Sequence, residues 1–352
     1  MSAAAVSCVI LLATACTDSP ILPNEPSDSQ AYLQTTDTLA DGNLNLAASM
    51  DEDVVKWMAE LFSEQTGCSV SYAVMGAAEA ERFFLDLNGS KKVDVYLGGT
   101  ANLHERLKRA HLLERYLSDE RVHHDTRFMD DDGYWSSFCL ELYAIGYHPQ
   151  AFAETFENEA LPQTLQELAD PKYRGHLLLP NPDTSFGGDT WCVSVIQSRA
   201  QKEGVQLLKN LLNNAETFAQ NDLTAAQKTG LGMYPIMVGR LSDQIRMKNA
   251  GLMIESVVYP DTGWTITPVA LLSGCGHPNE GKAFIDFVLS REVGRRIQQQ
   301  CGSFSTREDA APPPDSQNQL SDYPLSKSGW AYQNNLLRED VRAMLDQYKK
   351  PA

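Results

Sequence analysis

The sequence has few basic residues for its length. It contains 29 Lys and Arg against 46 Asp and Glu, which gives a formal net charge of −17 and a pI near 4.8. Proteins that bind the phosphates of nucleic acids carry a surplus of Lys and Arg, so this balance excludes nucleic acid as a partner. It does not exclude a small anionic ligand, because backbone amides, helix N-termini and one or two basic side chains set the charge of a cleft locally.

The sequence also lacks an apolar run long enough to cross a membrane. Its one extended apolar stretch, Ala3 to Ala15, has the length of a signal-peptide core. The small residues directly before Cys16 resemble the lipobox of bacterial lipoproteins. We therefore expect a signal peptide at 1–15, a lipid anchor on Cys16 as the sole membrane contact, and a flexible tether through 16–42. A plain secretory signal with a chance cysteine is the alternative.

Patterns typical of metal sites are missing. The chain has 7 His and 7 Cys, and no cysteine pair has the CxxC spacing of a zinc site. His123 and His124 with Asp125 are the one candidate metal cluster, but their loop is rich in charge and is typical of a solvated surface. We expect no cofactor and no catalytic metal.

Five cysteines follow the predicted signal and anchor, which is an odd number for an oxidising compartment. We interpret most of them as small buried hydrophobic residues. Cys275 and Cys301 are the one disulfide pair considered, because they flank a single predicted helix. The five residues are Cys68, Cys139, Cys192, Cys275 and Cys301.

Signatures of catalysis are also missing. Ser185 lacks the Gly-x-Ser-x-Gly context of a nucleophile elbow, and no carboxylate pair has the pattern of a glycosidase. We therefore expect a protein that is not an enzyme. An exported enzyme on an α/β scaffold is the alternative.

What the sequence does contain is an α/β pattern on a scale of two lobes. With 43% hydrophobic and 21% charged residues the chain should fold, and 352 residues exceed one ordinary core. Strands are predicted at 43–48, 68–74 and 93–97, and helices begin near Asp51 and Glu79. This alternation predicts parallel βαβ units, whose ligand sites lie at the carboxyl ends of the strands.

Three turns rich in Gly, Ser and Thr follow predicted strands and precede helices. The most informative is NPDTSFGGDT, residues 181–190, where Thr184, Ser185 and Gly187 would offer hydroxyls and backbone N–H groups to an anion. Gly99 and Thr100 lie in the second turn, and Ser49 in the third. A shared cleft explains all three turns, although ordinary capping turns are the alternative for each.

Four further residues are candidates for the remaining wall of this cleft. Arg240 is the candidate counter-charge, because its guanidinium fork matches phosphate or carboxylate. Tyr234 is a second candidate. For Tyr259 and Trp264, packing in the core is the favoured interpretation.

The order of several segments resembles the ABC-transporter extracellular solute-binding proteins of the ferric-iron and anion type, which are type 2 periplasmic binding proteins. The match runs from about Asn43 to Tyr348. It is carried by these segments: VDVYLGGTANLHERLKRAHLLERY, DDGYWSSFCLELYAIGYHP, LPQTLQELADPKYRGHLLLPNPDTSFGGDTW, VVYPDTGWTITPVALLSGCGHPNEGKAFIDFVLSREVGRRI and GSFSTRED.

This resemblance implies two α/β lobes with a cleft between them, joined by crossover strands near 138–143 and 265–270. Lobe 1 would comprise 43–140 plus 268–352, and lobe 2 would comprise 141–267. Family positions that line the cleft match these residues here: Ser49, Gly99, Thr100, Thr184, Ser185 and Gly187, with Arg240 and Tyr259 as further matches.

The resemblance also implies a function. The chain would be the solute-binding lipoprotein of an ABC importer, a monomer at the cell surface or in the periplasm that delivers a small anionic solute to a permease and an ATPase. Ferric-binding members present two adjacent tyrosines, whereas GMYPIMVG has Tyr234 followed by Pro235. Ferric iron with Tyr234 as a ligand is therefore one alternative, and a sensor subunit that signals to a histidine kinase is another.

Overall fold

The structure is a computed structural model of the chain. It describes residues 42–86, 89–157, 159–181, 188–259, 261–313, 319–323, 325 and 344. The predicted signal peptide, the lipidation site Cys16 and the tether up to residue 41 lie outside the described residues. In the ranges that are described, no helix combines the length and apolarity needed to cross a bilayer.

Helices and strands alternate along the described chain. The helices are α1 (Glu52–Thr66), α2 (Ala77–Leu85), α3 (Ala101–Arg109), α4 (Pro149–Thr155), α5 (Leu165–Leu168), α6 (Gly188–Gln197), α7 (Gln201–Asn214), α8 (Asp222–Gly230), α9 (Leu241–Asn249), α10 (Pro278–Leu289) and α11 (Arg291–Cys301). The strands are β1 (Asn43–Ser49), β2 (Ser69–Val74), β3 (Val95–Gly98), β4 (Leu113–Glu114), β5 (Ser136–Tyr147), β6 (Leu177–Pro180), β7 (Ala215–Ala219), β8 (Ile236–Arg240), β9 (Glu255–Val257), β10 (Trp264–Leu272) and β11 (Phe304–Ser305).

The strands pair in the order β2-β1-β3-β10-β5-β8-β6-β7. The units β1, β2 and β3 are parallel, as the βαβ alternation predicts, and β6 pairs in parallel with both β7 and β8. Since helices follow β1, β3, β6 and β8, the carboxyl ends of these strands feed helix N-termini. This is the arrangement in which open α/β sheets bind ligands.

The long strand β5 belongs to both halves of the sheet. Its residues 136–142 pair with β10, and its residues 143–147 pair with β8. The β10 register shifts between Thr267 and Pro268, where proline has no N–H to donate to the ladder. β5 therefore joins the parallel units on either side, through β10 on one side and β8 on the other, and the α/β fold with two lobes is confirmed.

The buried apolar residues form separate cores on the two sides of β5. Leu46, Phe62 and Phe284 belong to one core, and Trp191, Leu208 and Val238 belong to another. Met344 packs in the second of these cores. The division of the chain at 140 and 267 stays a prediction, and the placement of all of 268–352 in lobe 1 does not account for Met344.

The prediction of one helix from Pro278 to Cys301 is wrong. The Ser290 hydroxyl accepts a hydrogen bond from the Val293 N–H at 3.2 Å and caps α11, so α10 and α11 are separate helices. The five cysteines considered above form no disulfide in the described chain, so the Cys275–Cys301 pairing is also wrong. Cys275 precedes α10 and Cys301 ends α11, and the break at Ser290 lies between them.

Candidate functional site

The predicted site residues of β1 and β3 come together in one turn. We call Ser49, Gly98, Gly99 and Thr100 the donor turn. Ser49 pairs with Gly98 in the parallel ladder, and the Gly99 N–H donates to the Ser49 carbonyl oxygen at 2.9 Å. Gly98 and Gly99 have φ values of +81° and +73°, in the left-handed region that favours glycine. The sequence prediction that these residues share one end of the sheet is therefore consistent with their positions.

Thr100 begins helix α3. Its Oγ1 accepts a hydrogen bond from the Leu103 N–H at 3.2 Å, which satisfies one of the open donors of the first turn. The His104 Nδ1 lies 3.0 Å from the Thr100 carbonyl oxygen. Burial lowers the pKa of His104 to about 4, so the ring is neutral at physiological pH and Nδ1 donates to the carbonyl.

The donor turn is closed in this conformation. The side chain of Ser49 is 1% exposed and that of Thr100 is 8% exposed. Thr184, Ser185 and Gly187, which the sequence places on the facing lobe, lie outside the described residues. The role of all of these residues in ligand binding stays a prediction.

Asp51, two residues after Ser49, lines a cavity of about 510 Å³ whose lining carries mostly negative charge. We call it the acidic cavity. Five carboxylates and two guanidinium groups line it, and the start of α1 and the start of α9 face each other across it. Its lining residues are Asp51, Glu52, Asp53, Val54, Trp57, Glu141, Leu223, Arg240, Ser242, Asp243, Arg246, Gln300 and Cys301.

Arg240 ends β8 and is surrounded by carboxylates of its own half of the sheet. Its Nη2 lies 2.8 Å from the Asp243 Oδ2, and its Nε lies 3.8 Å from the Asp222 Oδ2. Burial opposes the charged form, but Asp243, Asp222 and Glu141 together hold the pKa of Arg240 well above its ordinary value. The predicted counter-charge is therefore already matched by protein groups, and its contact with a ligand stays a prediction.

Glu141 lies on β5, the strand shared by both halves of the sheet. Its carboxylate accepts a hydrogen bond from the Ser242 hydroxyl at 2.7 Å and another from the Ser303 hydroxyl. Ser242 lies in the first turn of α9 and Ser303 follows α11, so the two donors come from elements that are distant in sequence and meet at Glu141. Burial raises the pKa of Glu141, and the nearby Arg240 opposes this effect.

The two candidate tyrosines lie elsewhere. Tyr234 precedes β8, at the end of the strand opposite Arg240, and packs against a core of residues that include Leu178 and Ile254. Tyr259 is 8% exposed, belongs to a core and donates its hydroxyl hydrogen to the Pro162 carbonyl oxygen. Trp264 is also buried and packs edge to face on Phe128. Core packing, the favoured interpretation for Tyr259 and Trp264, describes both.

The sequence suggested that the loop around His124 is a solvated surface, but part of this loop is buried. His124 is buried, and both of its ring nitrogens have partners. Its Nδ1 lies 2.8 Å from the Thr306 Oγ1 and its Nε2 lies 2.9 Å from the Leu289 carbonyl oxygen. Both ring nitrogens therefore serve the packing of this loop. Over the described residues, no group of three or more His, Cys, Asp and Glu side chains has a metal-binding arrangement.

Comparison with known proteins identifies the family. Residues 90–336, more than half of the chain, match the model of the family described as bacterial extracellular solute-binding protein. The chain belongs to this family. The predicted resemblance is thus confirmed at the level of an extracellular solute-binding protein, and the family's members are binding proteins.

Solved structures show the same fold. Iron-bound HitA from Pseudomonas aeruginosa superposes with a TM-score of 0.77 at 19% identity, covering 88% of this chain and 99% of HitA. AfuA from Actinobacillus pleuropneumoniae, a periplasmic binding protein with exogenous fructose-6-phosphate bound, gives a TM-score of 0.73 at 20% identity, covering 88% and 98%. Both neighbours are two-lobed periplasmic binding proteins.

A curated relative is similar in sequence. The phosphoglycerate transport regulatory protein PgtC of Salmonella typhimurium is 21% identical over 256 residues, which are 72% of this chain. The match spans 63% of the length of PgtC. These identities do not assign a ligand to the solute-binding protein described here.

Several residues of the site escaped the sequence analysis. Tyr96 and His104 lie behind the donor turn, and Glu141 and Asp243 line the acidic cavity. Glu141 had a visible signal, because it is the one charged residue in the apolar strand SSFCLELYAIGY. Tyr96 had none, since an aromatic residue in a buried strand is ordinary core composition.

Proposed function

We propose that this chain is the solute-capturing subunit of an ABC importer, that it binds a small phosphorylated or carboxylated solute, and that it delivers this solute to a permease and an ATPase. The periplasm or cell surface is the proposed location, with a lipid on Cys16 as anchor and the monomer as the working form. The observation that carries the ligand class is the donor turn, where two hydroxyls and the start of α3 meet.

The charge of the two neighbouring regions supports this placement of the anion. The donor turn has no acidic side chain, whereas the acidic cavity has five carboxylates against two guanidinium groups. A phosphate would be repelled from the cavity and would be stabilised by donors at a helix N-terminus. We therefore place the anionic group of the ligand at the donor turn and its remainder toward the cavity. Because the turn is closed, the ligand would enter when the lobes open.

The names of two similar proteins agree with this ligand class. AfuA was solved with fructose-6-phosphate, and PgtC is named for phosphoglycerate transport. HitA was solved with iron, which keeps ferric iron as the alternative. Tyr234 offers little support for that alternative, because it lies at the far end of β8 from the cavity.

Thermal unfolding in the presence of candidate ligands tests the proposal. Fructose 6-phosphate, 3-phosphoglycerate and inorganic phosphate are compared with fructose, with putrescine and with ferric citrate. A ligand at 100 times its Kd stabilises the folded state by about 2.7 kcal/mol, which is a shift of several degrees. Stabilisation by the phosphorylated compounds, with none by fructose or putrescine, is expected. A shift with putrescine alone, or with ferric citrate but not with sodium citrate, would overturn the anion assignment.

A matched pair of variants locates the response. Thr100→Ala and Thr164→Ala each remove a helix N-cap hydroxyl, since the Thr164 Oγ1 accepts from the Glu167 N–H at 3.1 Å as Thr100 accepts from Leu103. Each change should cost about 1 kcal/mol of stability. We expect Thr100→Ala alone to lose the ligand response. An equal response in both variants would move the ligand away from the donor turn.

A sensor subunit is the second candidate, because PgtC is named a regulatory protein. Proteoliposomes that contain the permease and ATPase distinguish the two roles. Stimulation of ATP hydrolysis by the ligand-loaded protein supports import. Stimulation of a histidine kinase in its place would support sensing.

A further inference from the structure

The side chain of Tyr96 lies directly behind the donor turn. Tyr96 is fully buried in β3, and its hydroxyl donates a hydrogen bond to the Ser49 Oγ at 3.0 Å. Its ring stacks on the neutral His104 ring, with centroids 4.8 Å apart and planes at 15°. The Phe84 ring also packs on it, with centroids 4.8 Å apart. Ring contacts on two sides hold the phenol in one position.

The backbone of the donor turn rests on this phenol. A Cβ atom built on Gly99 would lie 2.2 Å from the Tyr96 Oη, far inside contact distance. The Tyr96 oxygen therefore occupies the space that any side chain at position 99 would need. Gly99 permits both its positive φ and this close approach of backbone to phenol.

The two hydroxyls of the donor turn, those of Ser49 and Thr100, both accept a hydrogen bond from a protein donor. A hydroxyl has one hydrogen to donate and two lone pairs to accept. The Ser49 Oγ accepts from Tyr96, and the Thr100 Oγ1 accepts from the Leu103 N–H. Each oxygen thus receives a hydrogen bond from the protein and keeps its own hydrogen to donate.

Burial keeps the Tyr96 phenol in the donating state. Burial raises the pKa of Tyr96 above its ordinary value, and the bond to Ser49 opposes this shift only in part. A buried phenol without a partner would also be costly, so its hydrogen stays directed at Ser49. The phenol therefore keeps its hydrogen, and stays able to donate it to Ser49, over the whole physiological pH range.

We propose that Tyr96 is a positioning residue that sets the specificity of the site: its hydroxyl occupies the acceptor side of Ser49, so that Ser49 meets the ligand as a donor. The proposal rests on the proposed function. The donor turn then selects groups that accept only, such as a phosphate or carboxylate oxygen, over neutral hydroxyls that both donate and accept. Without the Tyr96 hydroxyl, Ser49 can also accept, and discrimination between fructose 6-phosphate and fructose should fall.

A double-mutant cycle tests this role. The wild type, Tyr96→Phe, Ser49→Ala and the double variant are compared by calorimetric titration with fructose 6-phosphate. We expect Tyr96→Phe to weaken binding about tenfold in the presence of Ser49 and less than about twofold in the Ser49→Ala background, because the effect passes through Ser49. An equal loss in both backgrounds would show a purely structural role and overturn the proposal.

A second tyrosine provides the control. The Tyr116 hydroxyl donates to the Asp286 carboxylate on α10 at 2.7 Å, and not to a residue of the donor turn. Tyr116→Phe also removes a phenol oxygen, but it should leave the affinity and the ratio of phosphorylated to neutral sugar unchanged. A change in that ratio equal to the change in Tyr96→Phe would count against the proposal.

The same four proteins separate failure of this proposal from failure of the proposed function. If neither fructose 6-phosphate nor inorganic phosphate binds the wild type, the proposed ligand class is wrong. The cycle is then read from urea unfolding without ligand. Coupling between positions 96 and 49 supports the fixed Ser49 hydroxyl, and strict additivity of the two variants overturns it.

Discussion

The donor turn and the acidic cavity are close in sequence but differ in charge: the turn has no charged side chain, and the cavity is lined by several. Ser49 and Asp51 are two residues apart, so their Cα atoms lie within about 7 Å. The donor turn presents neutral hydroxyls, and the buried rings of Tyr96 and His104 pack behind it. The acidic cavity is a set of ionised groups that neutralise one another in part.

This difference teaches where a ligand's charge can lie. Neutral donors need no counter-charge when no ligand is bound, so the unliganded donor turn costs the folded protein little free energy. Arg240 would be costly to leave alone, and the protein surrounds it with Asp222, Asp243 and Glu141. The charge of Arg240 is therefore matched by protein carboxylates, whereas the donor turn carries no charge that an anion would have to displace.

The largest effect that sharpens this comparison should come from Arg240. Arg240→Met removes the guanidinium charge that lies against the buried Asp243 and Asp222 carboxylates, and we expect a loss of about 3–5 kcal/mol in the free energy of unfolding. Arg246→Met is the matched control, because Arg246 lines the same cavity but is exposed, and its loss should stay below about 1 kcal/mol. Urea unfolding at pH 7 measures both.

A rescue variant tests the cause of that loss. Asp243→Asn in the Arg240→Met background removes one of the unpaired charges and should restore part of the stability. If the double variant is less stable than Arg240→Met, the charge of Arg240 is not what the carboxylates require. In that case the prediction that Arg240 contacts an anionic ligand would be favoured.

The second effect concerns the donor turn. Gly99→Ala combines a left-handed residue with a Cβ atom 2.2 Å from the Tyr96 Oη, so we expect a loss of at least about 2 kcal/mol and of the ligand response. Gly274→Ala is the control, since Gly274 has φ +69° and no atom within 4 Å of its Cβ position. Equal losses in the two variants would mean that the contact with Tyr96 has no effect.

Much of the fold could be predicted because its signals are local. Gly67 ends α1 in the left-handed conformation, and Asp53 and Glu52 lie in the first turn of that helix, as the sequence pattern indicated. The strand β7 was missed, because AETFA is only partly buried and has no clear apolar alternation. The break at Ser290 was missed because the apolar positions of α10 and α11 continue one helical period across it.

The candidate site was predictable only in part. Ser49, Gly99 and Thr100 follow strands directly, and a rule about strand ends finds them. Glu141 and Ser242 are 101 residues apart in sequence, and Tyr96 acts on Ser49 across 47 residues. Such pairs depend on the order of the strands in the sheet, which no local pattern encodes.

The smallest expected effect is on the pH dependence of the unfolding free energy, to which the acidic cavity should contribute and the donor turn should not. Burial raises the pKa of Glu141, so protonation of its carboxylate is more favourable in the folded state than in the unfolded chain. This contribution to stability is present below the ordinary glutamate pKa of about 4.3 and is lost as the pH rises through the higher folded pKa. We expect Glu141→Gln to flatten the pH dependence of the unfolding free energy in that window, because the amide cannot ionise. Tyr96→Phe should leave this pH dependence unchanged, since the Tyr96 phenol stays protonated throughout. Unfolding curves at pH 4, 5, 6 and 7 measure the slope, and an unchanged slope in Glu141→Gln would mean that the carboxylate is ionised as readily in the folded cavity as in water.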